Sequence, residues 1–361
     1  MSDSNTIRVL SLDGGGERGY LSLKFLIKFL DSWGINPADI AKKFDVICGT
    51  SIGGIMGLAF ALGKTPSEIE SFFTGAGPYI FTLGSQTPGH VVFPPPSPGI
   101  VPSTEYKLFL LTADTPFYSS SGGSSGLYGT GLLAATLNSF FGTNRLSDLQ
   151  TNVLIPAYET DTGKFVSFSN WNNSRFIGQN ELIKNVALAT SAAPLYLASN
   201  SYPVSFGGHQ YSDGGVYLNN PALMGIALAK ITKPSANRIC VLSLGTGLVP
   251  GEGTYSLFDR PLTKYLVETV NPLATVGALV GQAGGGSEES VAETLLLMSQ
   301  YTLDQLYYYR YQPLFNDLPE GELPTLDNTT STILNYYASK AETWYQNDIA
   351  NIQNFIGHLE A

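Results

Sequence analysis

Cysteine and histidine are scarce in this chain of 361 residues, which contains two cysteines and three histidines. Cys48 and Cys240 both lie in apolar runs that are typical of buried strands. Two cysteines in such runs predict buried free thiols rather than a disulfide, and they fit a reducing compartment. No group of residues has the spacing of metal ligands, so we expect no metal centre.

Charge is also scarce, and the balance is acidic. Charged residues make up 13% of the chain, with 19 Lys and Arg against 29 Asp and Glu, which gives a formal net charge of −10. An acidic chain without clusters of Lys and Arg argues against a nucleic-acid partner. It also gives no general attraction to anionic membranes, so any contact with lipid has to be local and apolar.

Long apolar runs are missing as well. No run approaches the roughly 18 apolar residues of a transmembrane helix, and the first residues lack the basic and apolar regions of a signal peptide. Hydrophobic residues nevertheless make up 43% of the chain, which predicts a large buried core. We therefore expect a soluble or cytoplasmic protein, peripheral at membranes if it meets them.

The segment Phe44–Leu62 carries the most informative motif. An apolar strand-like run leads into Gly-Thr-Ser-Ile-Gly, and a helical pattern of apolar residues follows at once. A G-x-S-x-G motif between a strand and a helix is typical of a nucleophile elbow, with Ser51 as the nucleophile. Gly49 and Gly53 would let the strand and the helix approach closely. The alternative interpretation is an ordinary glycine-rich turn.

A second glycine-rich loop, Asp13–Gly19, lies between a predicted strand at Ile7–Leu12 and a predicted helix at Tyr20–Trp33. It matches G-x-G-x-x-G, but the acidic residue nearest to the position that a dinucleotide site requires, Asp31, falls inside the helix. The Lys of a phosphate-binding loop is absent. Consecutive glycine amides could instead form an oxyanion hole, with Arg18 supporting the loop or an anionic group. A structural turn without function is the remaining interpretation.

Strands that alternate with helices over the first 250 residues predict an α/β fold. The central sheet should be mostly parallel and sandwiched between helices on both faces. A segment rich in Pro, Gly and Ser at about 76–126 interrupts this pattern and is either a cap over the site or a surface insertion. Further strands are predicted at Asn152–Tyr158, Lys164–Ser169 and Arg238–Leu244, and further helices at Leu127–Phe141 and Glu181–Thr190.

Beyond residue 250 the pattern changes to amphipathic helices. Helices are predicted at Leu257–Leu273, Val291–Leu306 and Ile333–Leu359. Between them, Tyr307–Gln312 alternates like a strand and is expected at an edge of the sheet.

A serine nucleophile needs a base, and the histidines are poorly placed to provide one. His90 lies in the Pro-rich insertion, His209 in a Gly-rich loop and His358 three residues from the C-terminus. The remaining candidate is Asp213, a carboxylate that could act on Ser51 if burial raises its pKa. Since Asp-Gly is also a common turn, a plain turn carboxylate is the alternative.

The ordered set of motifs resembles the patatin-like phospholipase family. The resemblance rests on D-G-G-G-x-R-G at Asp13–Gly19, G-x-S-x-G at Gly49–Gly53 and D-G-G at Asp213–Gly215. Further matching stretches are Ser191–Pro194, Asn219–Pro221 and Leu242–Gly247. Together they cover about residues 7–247, while the long insertion departs from the family pattern and leaves substrate preference open.

The resemblance implies a serine lipid acyl hydrolase with a Ser–Asp dyad and no cofactor. Its catalytic residues would be Ser51 and Asp213. The oxyanion hole would comprise Gly14, Gly15, Gly16 and, in support, Arg18. The glycines that shape the elbow and the Asp turn would be Gly49, Gly53, Gly214 and Gly215.

We therefore predict a patatin-like catalytic core at 6–250 and a mainly helical C-terminal extension at 251–361. The predicted activity is that of a phospholipase A or lysophospholipase, which cleaves acyl esters of phospholipids or glycerolipids during transient contact with a membrane surface. The alternative is a storage or partner-binding protein on the same scaffold. Its activity would be weak or would depend on a protein or ligand activator.

Overall fold

An eight-stranded sheet forms the centre of the computed structural model, which describes residues 5–81, 130–172, 174–194, 197, 204–248, 288–302 and 305–361. The strands are β1 Thr6–Leu12, β2 Val46–Gly49, β3 Asn152–Glu159, β4 Lys164–Phe168, β5 Val204–Phe206, β6 His209–Asp213, β7 Arg238–Leu244 and β8 Leu306–Tyr311. Most of the predicted insertion at 76–126 and the predicted helix Leu257–Leu273 lie outside the described residues.

The sheet is parallel over most of its width and antiparallel at one end. Its order is β5-β6-β3-β2-β1-β7-β8, and β4 pairs with β3 outside this path. Five strands that are adjacent in this order, β3, β2, β1, β7 and β8, pair in parallel. Strands β4, β5 and β6 pair antiparallel. The predicted α/β sheet is confirmed, and the antiparallel part is an addition that the sequence patterns did not predict.

Helices cover both faces of this sheet. In order they are α1 Gly19–Ser32, α2 Ile40–Lys43, α3 Ile52–Leu62, α4 Pro66–Ser71, α5 Gly77–Ile80, α6 Thr130–Phe141, α7 Ile183–Thr190, α8 Ala222–Thr232, α9 at 288–297, α10 Ser331–Asn347 and α11 Ile349–Glu360.

The two faces of β1 show how the sequence builds this sandwich. Ile7 and Val9 belong to one buried cluster, which includes Ala222 and Leu228 of α8. The other cluster contains Leu12, together with apolar side chains of α1, α3 and α10. Because successive strand residues point to opposite faces, a continuous apolar run is what a strand with two covered faces needs.

The C-terminal helices differ in their limits from the prediction. The predicted helix Val291–Leu306 was too long, since α9 passes into a π-helical turn at Met298–Thr302 and Leu306 already belongs to β8. The β8 backbone pairs with β7 from Leu306 to Tyr311, and this ladder replaces further helical hydrogen bonds. The predicted edge strand is therefore confirmed. The single predicted helix Ile333–Leu359 is two helices, α10 and α11, with Asp348 between them.

Two further expectations concern cysteine and membrane spans. Cys48 and Cys240 are buried free thiols, as predicted. Within the described part of the chain, none of the helices combines the length and the apolar character needed to cross a bilayer.

Candidate active site

Ser51 lies at the sharp turn between β2 and α3. Its backbone has φ 55° and ψ −124°, and among the described residues it is the only non-glycine residue with positive φ. Such a conformation costs free energy and is found preferentially at functional sites. The turn is possible because its neighbours are small: a Cβ on Gly49 would lie 2.1 Å from the Gly53 carbonyl oxygen, and one on Gly53 would lie 2.2 Å from that of Leu12.

Two threonines hold the elbow. The Ser51 amide donates a 3.0 Å hydrogen bond to Oγ1 of Thr190, whose hydroxyl donates in turn to the Pro156 carbonyl at 2.6 Å. The Thr50 hydroxyl donates to the Leu218 carbonyl at 2.7 Å. Helix α7, strand β3 and the loop after β6 thus fix the position of the serine backbone.

Asp213 ends strand β6 and is 4% exposed. Its Oδ1 accepts a 2.6 Å hydrogen bond from the Gly215 amide, and its own amide donates to the Ala192 carbonyl at 3.0 Å. Gly214 is required sterically, because a Cβ there would lie 2.4 Å from the Pro156 carbonyl oxygen.

The electrostatics of Asp213 suit a base at neutral pH. Burial raises the pKa of this carboxyl to about 7, although hydrogen bonds from the Ser51 side chain and the Gly215 amide act in the opposite direction. The structure therefore brings together Ser51 and Asp213, which are 162 positions apart in the sequence. Both line one cavity.

The glycine loop forms another wall of that cavity. The Gly14 amide donates to the Asn219 carbonyl at 3.3 Å, whereas within the described residues the amides of Gly15 and Gly16 donate no hydrogen bond. Gly16 has φ +56°, and a Cβ there would lie 2.1 Å from the Leu326 carbonyl oxygen. The loop therefore offers two amide donors beside the serine.

Two charged side chains of this loop also line the cavity. Arg18 makes no side-chain hydrogen bond within the described residues, and its Nε is buried without a partner. Glu17 is 2% exposed, and burial raises the pKa of its carboxyl well above the usual value. The sequence gives no sign that Glu17 belongs to the site, because an acidic residue in a glycine-rich loop is ordinarily exposed.

Most of the remaining cavity wall is apolar, with Ser191 and Asn219 as its polar side chains. The apolar side chains come from α3, the segment at α4 and α5, α6, and the loops beyond α7, β6 and β8. They are Ile52, Ile55, Phe72, Ile80, Phe81, Leu133, Ala193, Pro194, Leu197, Val216 and Leu326. A serine hydroxyl and a buried carboxylate in the wall of a largely apolar cavity can act on an ester whose acyl part is hydrophobic.

The histidines contribute nothing to this cavity as far as the structure describes them. His209 Nδ1 lies 3.0 Å from Asp161 Oδ2, and these two exposed side chains lie close enough to the buried Glu159 that the three could hold a metal ion. His358 stacks on Tyr307 with ring centroids 3.8 Å apart. His90 lies outside the described residues.

Comparison with known proteins identifies the family to which this chain belongs. The sequence profile of the patatin-like phospholipase family matches residues 10–226, which is more than half of the chain and includes the elbow, the glycine loop and Asp213. The chain belongs to this family. Patatin-like phospholipases are lipid hydrolases, so membership supports hydrolysis of lipids as the general activity.

Relatives of this patatin-like chain extend over nearly its whole length. It is 34% identical to a cGAMP-activated phospholipase of Vibrio cholerae, over 93% of this chain and 89% of the relative. It is 28% identical to a cGAMP-activated phospholipase of Escherichia coli, over 97% and 90%. Its structure resembles human GIVD cytosolic phospholipase A2 with a TM-score of 0.43 and 12% identity, over 99% of this chain and 60% of that one.

A group of polar residues behind the glycine loop of this patatin-like protein was not recognised in the sequence. It consists of Asp13, Asn219, Glu288 and Arg310. Asn219 lies in one of the stretches that carry the family resemblance, and Arg310 in the strand Tyr307–Gln312, but neither pattern reveals their contacts. Glu288 lies outside the residues that the family profile matches.

Proposed function

We propose that this protein is a serine lipid acyl hydrolase that cleaves acyl esters of phospholipids or related glycerolipids. The observation that carries the proposal is the position of Ser51. It occupies a strained elbow at the N-terminus of α3 and shares an apolar cavity with Asp213, whose pKa is raised to about 7.

The proposed reaction begins when the Ser51 hydroxyl attacks the ester carbonyl and Asp213 accepts its proton. The negative charge that develops on the carbonyl oxygen is bound by the amides of Gly15 and Gly16 and favoured by the N-terminus of α3. Collapse of this intermediate expels the alcohol, which takes the proton back from Asp213. Water, deprotonated by the same carboxylate, then attacks the acyl-enzyme. The bond between the acyl carbon and Ser51 Oγ breaks, the fatty acid is released, and Ser51 takes the proton back from Asp213.

The character of the cavity favours lipid esters over peptides. Its apolar wall suits an acyl chain, whose transfer from water is favourable by about 0.8 kcal/mol for each buried methylene group. A carboxylate base without histidine is also better matched to an ester, since a leaving alkoxide needs less protonation than an amide nitrogen. Arg18, which has no hydrogen-bonding partner within the described residues, would support the loop or an anionic group of the substrate.

The test is hydrolysis of phospholipid vesicles and of a soluble p-nitrophenyl ester by the purified wild type and the Ser51→Ala variant. We expect Ser51→Ala to abolish both activities. Ser147→Ala is a matched control, because Ser147 is exposed and, among the residues that the structure describes, its hydroxyl bonds only to Asn180. Hydrolysis at the wild-type rate by Ser51→Ala would remove Ser51 from the mechanism.

A second proposal concerns regulation, because two relatives that match nearly the whole chain are named cGAMP-activated phospholipases. We propose that a small molecule of the cyclic dinucleotide class increases the Ser51-dependent activity. Adding cGAMP to the purified protein should raise hydrolysis of phospholipid vesicles in the wild type and have no effect in Ser51→Ala. Full activity without cGAMP, unchanged when it is added, would contradict the proposal.

A further inference from the structure

A buried ionic network lies directly behind the glycine loop. Arg310, on strand β8, donates hydrogen bonds of 2.6 Å to Asp13 Oδ2 and to Glu288 Oε1. The three side chains are 13%, 0% and 5% exposed, respectively. Arg310 also donates to the Ser243 hydroxyl at 2.9 Å, which fixes the guanidinium against β7.

Glu288 is the most heavily bonded carboxylate of the network. Its Oε1 accepts hydrogen bonds from Arg310 and from the Gln312 side chain, and its Oε2 accepts one of 2.9 Å from Asn219 Nδ2. A carboxylate with such partners keeps their donors in fixed positions, because charge-assisted hydrogen bonds are short and strong.

These contacts reach the glycine loop by two routes. Asp13 directly precedes Gly14 in the chain, so the bond from Arg310 holds the start of the loop. The Gly14 carbonyl accepts hydrogen bonds from Asn219 Nδ2 at 3.3 Å and from the Thr246 hydroxyl at 2.9 Å. The loop itself has few side chains of its own, so contacts of this kind determine where the amides of Gly15 and Gly16 lie.

We propose that Glu288 and Arg310 are positioning residues that hold the glycine loop in the geometry needed to bind the oxyanion. Neither touches the reacting atoms. Both lie C-terminal to residues 10–226, which match the family profile, so the C-terminal region completes the active site from behind. The kinetic part of this inference rests on the proposed function, whereas the structural part concerns the loop alone.

The kinetic test compares Glu288→Gln with Glu289→Gln in the full chain. Glu289 is the exposed neighbour on α9 and provides a control with the same change of charge. We expect Glu288→Gln to lower kcat by about 100-fold with little change in KM. A displaced amide loses its hydrogen bond to the developing oxyanion, and this bond contributes mainly in the transition state. Equal kcat values for the two variants would overturn the kinetic part.

The structural test is hydrogen exchange measured by mass spectrometry, which needs no activity. In Glu288→Gln we expect faster exchange of the peptide at 13–20, with unchanged exchange in β2 and β3 and in the Glu289→Gln protein. Glu288→Asp serves as a second variant if Glu288→Gln does not fold, and it should show a smaller change in the same peptide. Wild-type exchange of this peptide in the folded variants, or an equal increase throughout the sheet, would overturn the proposal.

The two tests separate the inference from the proposed function. One outcome is faster exchange of the loop in Glu288→Gln, combined with a wild type that shows no Ser51-dependent hydrolysis. It would refute the proposed function and support the structural part of the inference. Ser51-dependent hydrolysis that is unaffected by Glu288→Gln, with an unchanged loop, would refute the inference alone.

Discussion

At the scale of single residues, the burial of Asp213 raises the pKa of its carboxyl and so makes it a candidate base. A solvent-exposed aspartate has a pKa near 3.9 and is a weak base at neutral pH. Desolvation raises the pKa of Asp213 to about 7, despite two opposing hydrogen bonds. The proposed base is therefore poised near neutrality, where proton transfer by a general base is most effective.

Replacing Asp213 should therefore affect both rate and pH dependence. We expect Asp213→Asn to lower kcat/KM by about 10²- to 10⁴-fold, the range typical of a lost general base. In the wild type, kcat/KM should rise with pH and level off above about 7, since only the deprotonated carboxylate accepts a proton. A pH–rate profile from about pH 5 to about pH 9 measures this, and a flat wild-type profile would contradict the assigned base.

The same pKa has a consequence for stability. Because the pKa of Asp213 is higher in the folded state, the folded protein binds a proton that the unfolded chain releases between about pH 4 and about pH 7. The wild type should thus lose stability relative to Asp213→Asn as the pH rises through this interval. Urea denaturation at several pH values would show it; a constant difference in the free energy of unfolding would contradict the raised pKa.

Thr190 offers a test of how the serine backbone is held. Thr190→Val removes the acceptor of the part-buried Ser51 amide and the donor to the buried Pro156 carbonyl. We expect a loss of about 1–3 kcal/mol in the free energy of unfolding, together with lower kcat. Thr190→Ser keeps the hydroxyl and should retain most of the activity. A Val variant with wild-type stability and rate would show that this contact is dispensable.

At the scale of secondary-structure elements, the close approach of α3 to the ends of β1 and β2 positions Ser51, the proposed nucleophile. The backbone of Gly53 lies so near the Leu12 and Asp13 carbonyls that a Cβ would be 2.2 Å and 2.6 Å from their oxygens. This contact explains why the start of the helix is rich in glycine although glycine is a poor helix former.

Two substitutions in α3 should therefore differ sharply. Gly53→Ala must push the helix away from fixed backbone atoms, and we expect a loss of about 1–3 kcal/mol in stability and loss of hydrolysis. Gly57→Ala places its Cβ 3.2 Å from the Cγ2 methyl of Ile47, which has to move by only a few tenths of an ångström, and gains helix propensity of up to about 1 kcal/mol. Thermal unfolding and ester hydrolysis measure both; equal tolerance of the two changes would refute the steric account.

Local patterns predicted most elements because their causes are local. The apolar run of β1 and the spacing of α1 match the structure to within a residue or two. The capping box of Thr65 and Glu68, which starts α4, is a local feature of the same kind. The predicted end of α9 was wrong, because the pairing of β8 with β7 decides it. The break at Asp348 was not predicted, because the packing of two helices decides it. A helical period reveals neither cause.

At the scale of the whole molecule, the C-terminal region is part of the core. Strand β8 continues the sheet beyond β7, and α10 packs on α1. Tyr311 connects these parts: its ring stacks on Phe25 with centroids 4.0 Å apart and meets Trp344 edge-on at 5.3 Å.

Substitution of Tyr311 tests this connection. Tyr311→Ala should cost about 3–5 kcal/mol, as expected for a large buried aromatic side chain. Tyr311→Phe should be at least as stable as the wild type, since the buried hydroxyl finds no hydrogen-bonding partner in the part of the chain that the structure describes. Equilibrium unfolding in urea gives both values. A small effect of the Ala variant would mean that the C-terminal region contributes little to the core.

Contacts between distant segments mark the limit of what the sequence predicts. Ser51 could be predicted from a pentapeptide, and Asp213 from the order of the motifs. Arg310 and Asp13 are 297 positions apart, and nothing in either segment indicates the other. The burial of Glu17 is equally invisible, because it depends on how α5 and other segments cover the loop.

Covalent labelling tests whether Ser51 is the nucleophile. The purified wild type would be treated with an alkyl fluorophosphonate, and the modified residue located by peptide mass spectrometry. We expect one adduct on the Ser51 hydroxyl, with loss of hydrolysis in proportion to labelling and no adduct in Ser51→Ala. An adduct on another residue that abolishes hydrolysis, with Ser51 unmodified, would contradict this assignment.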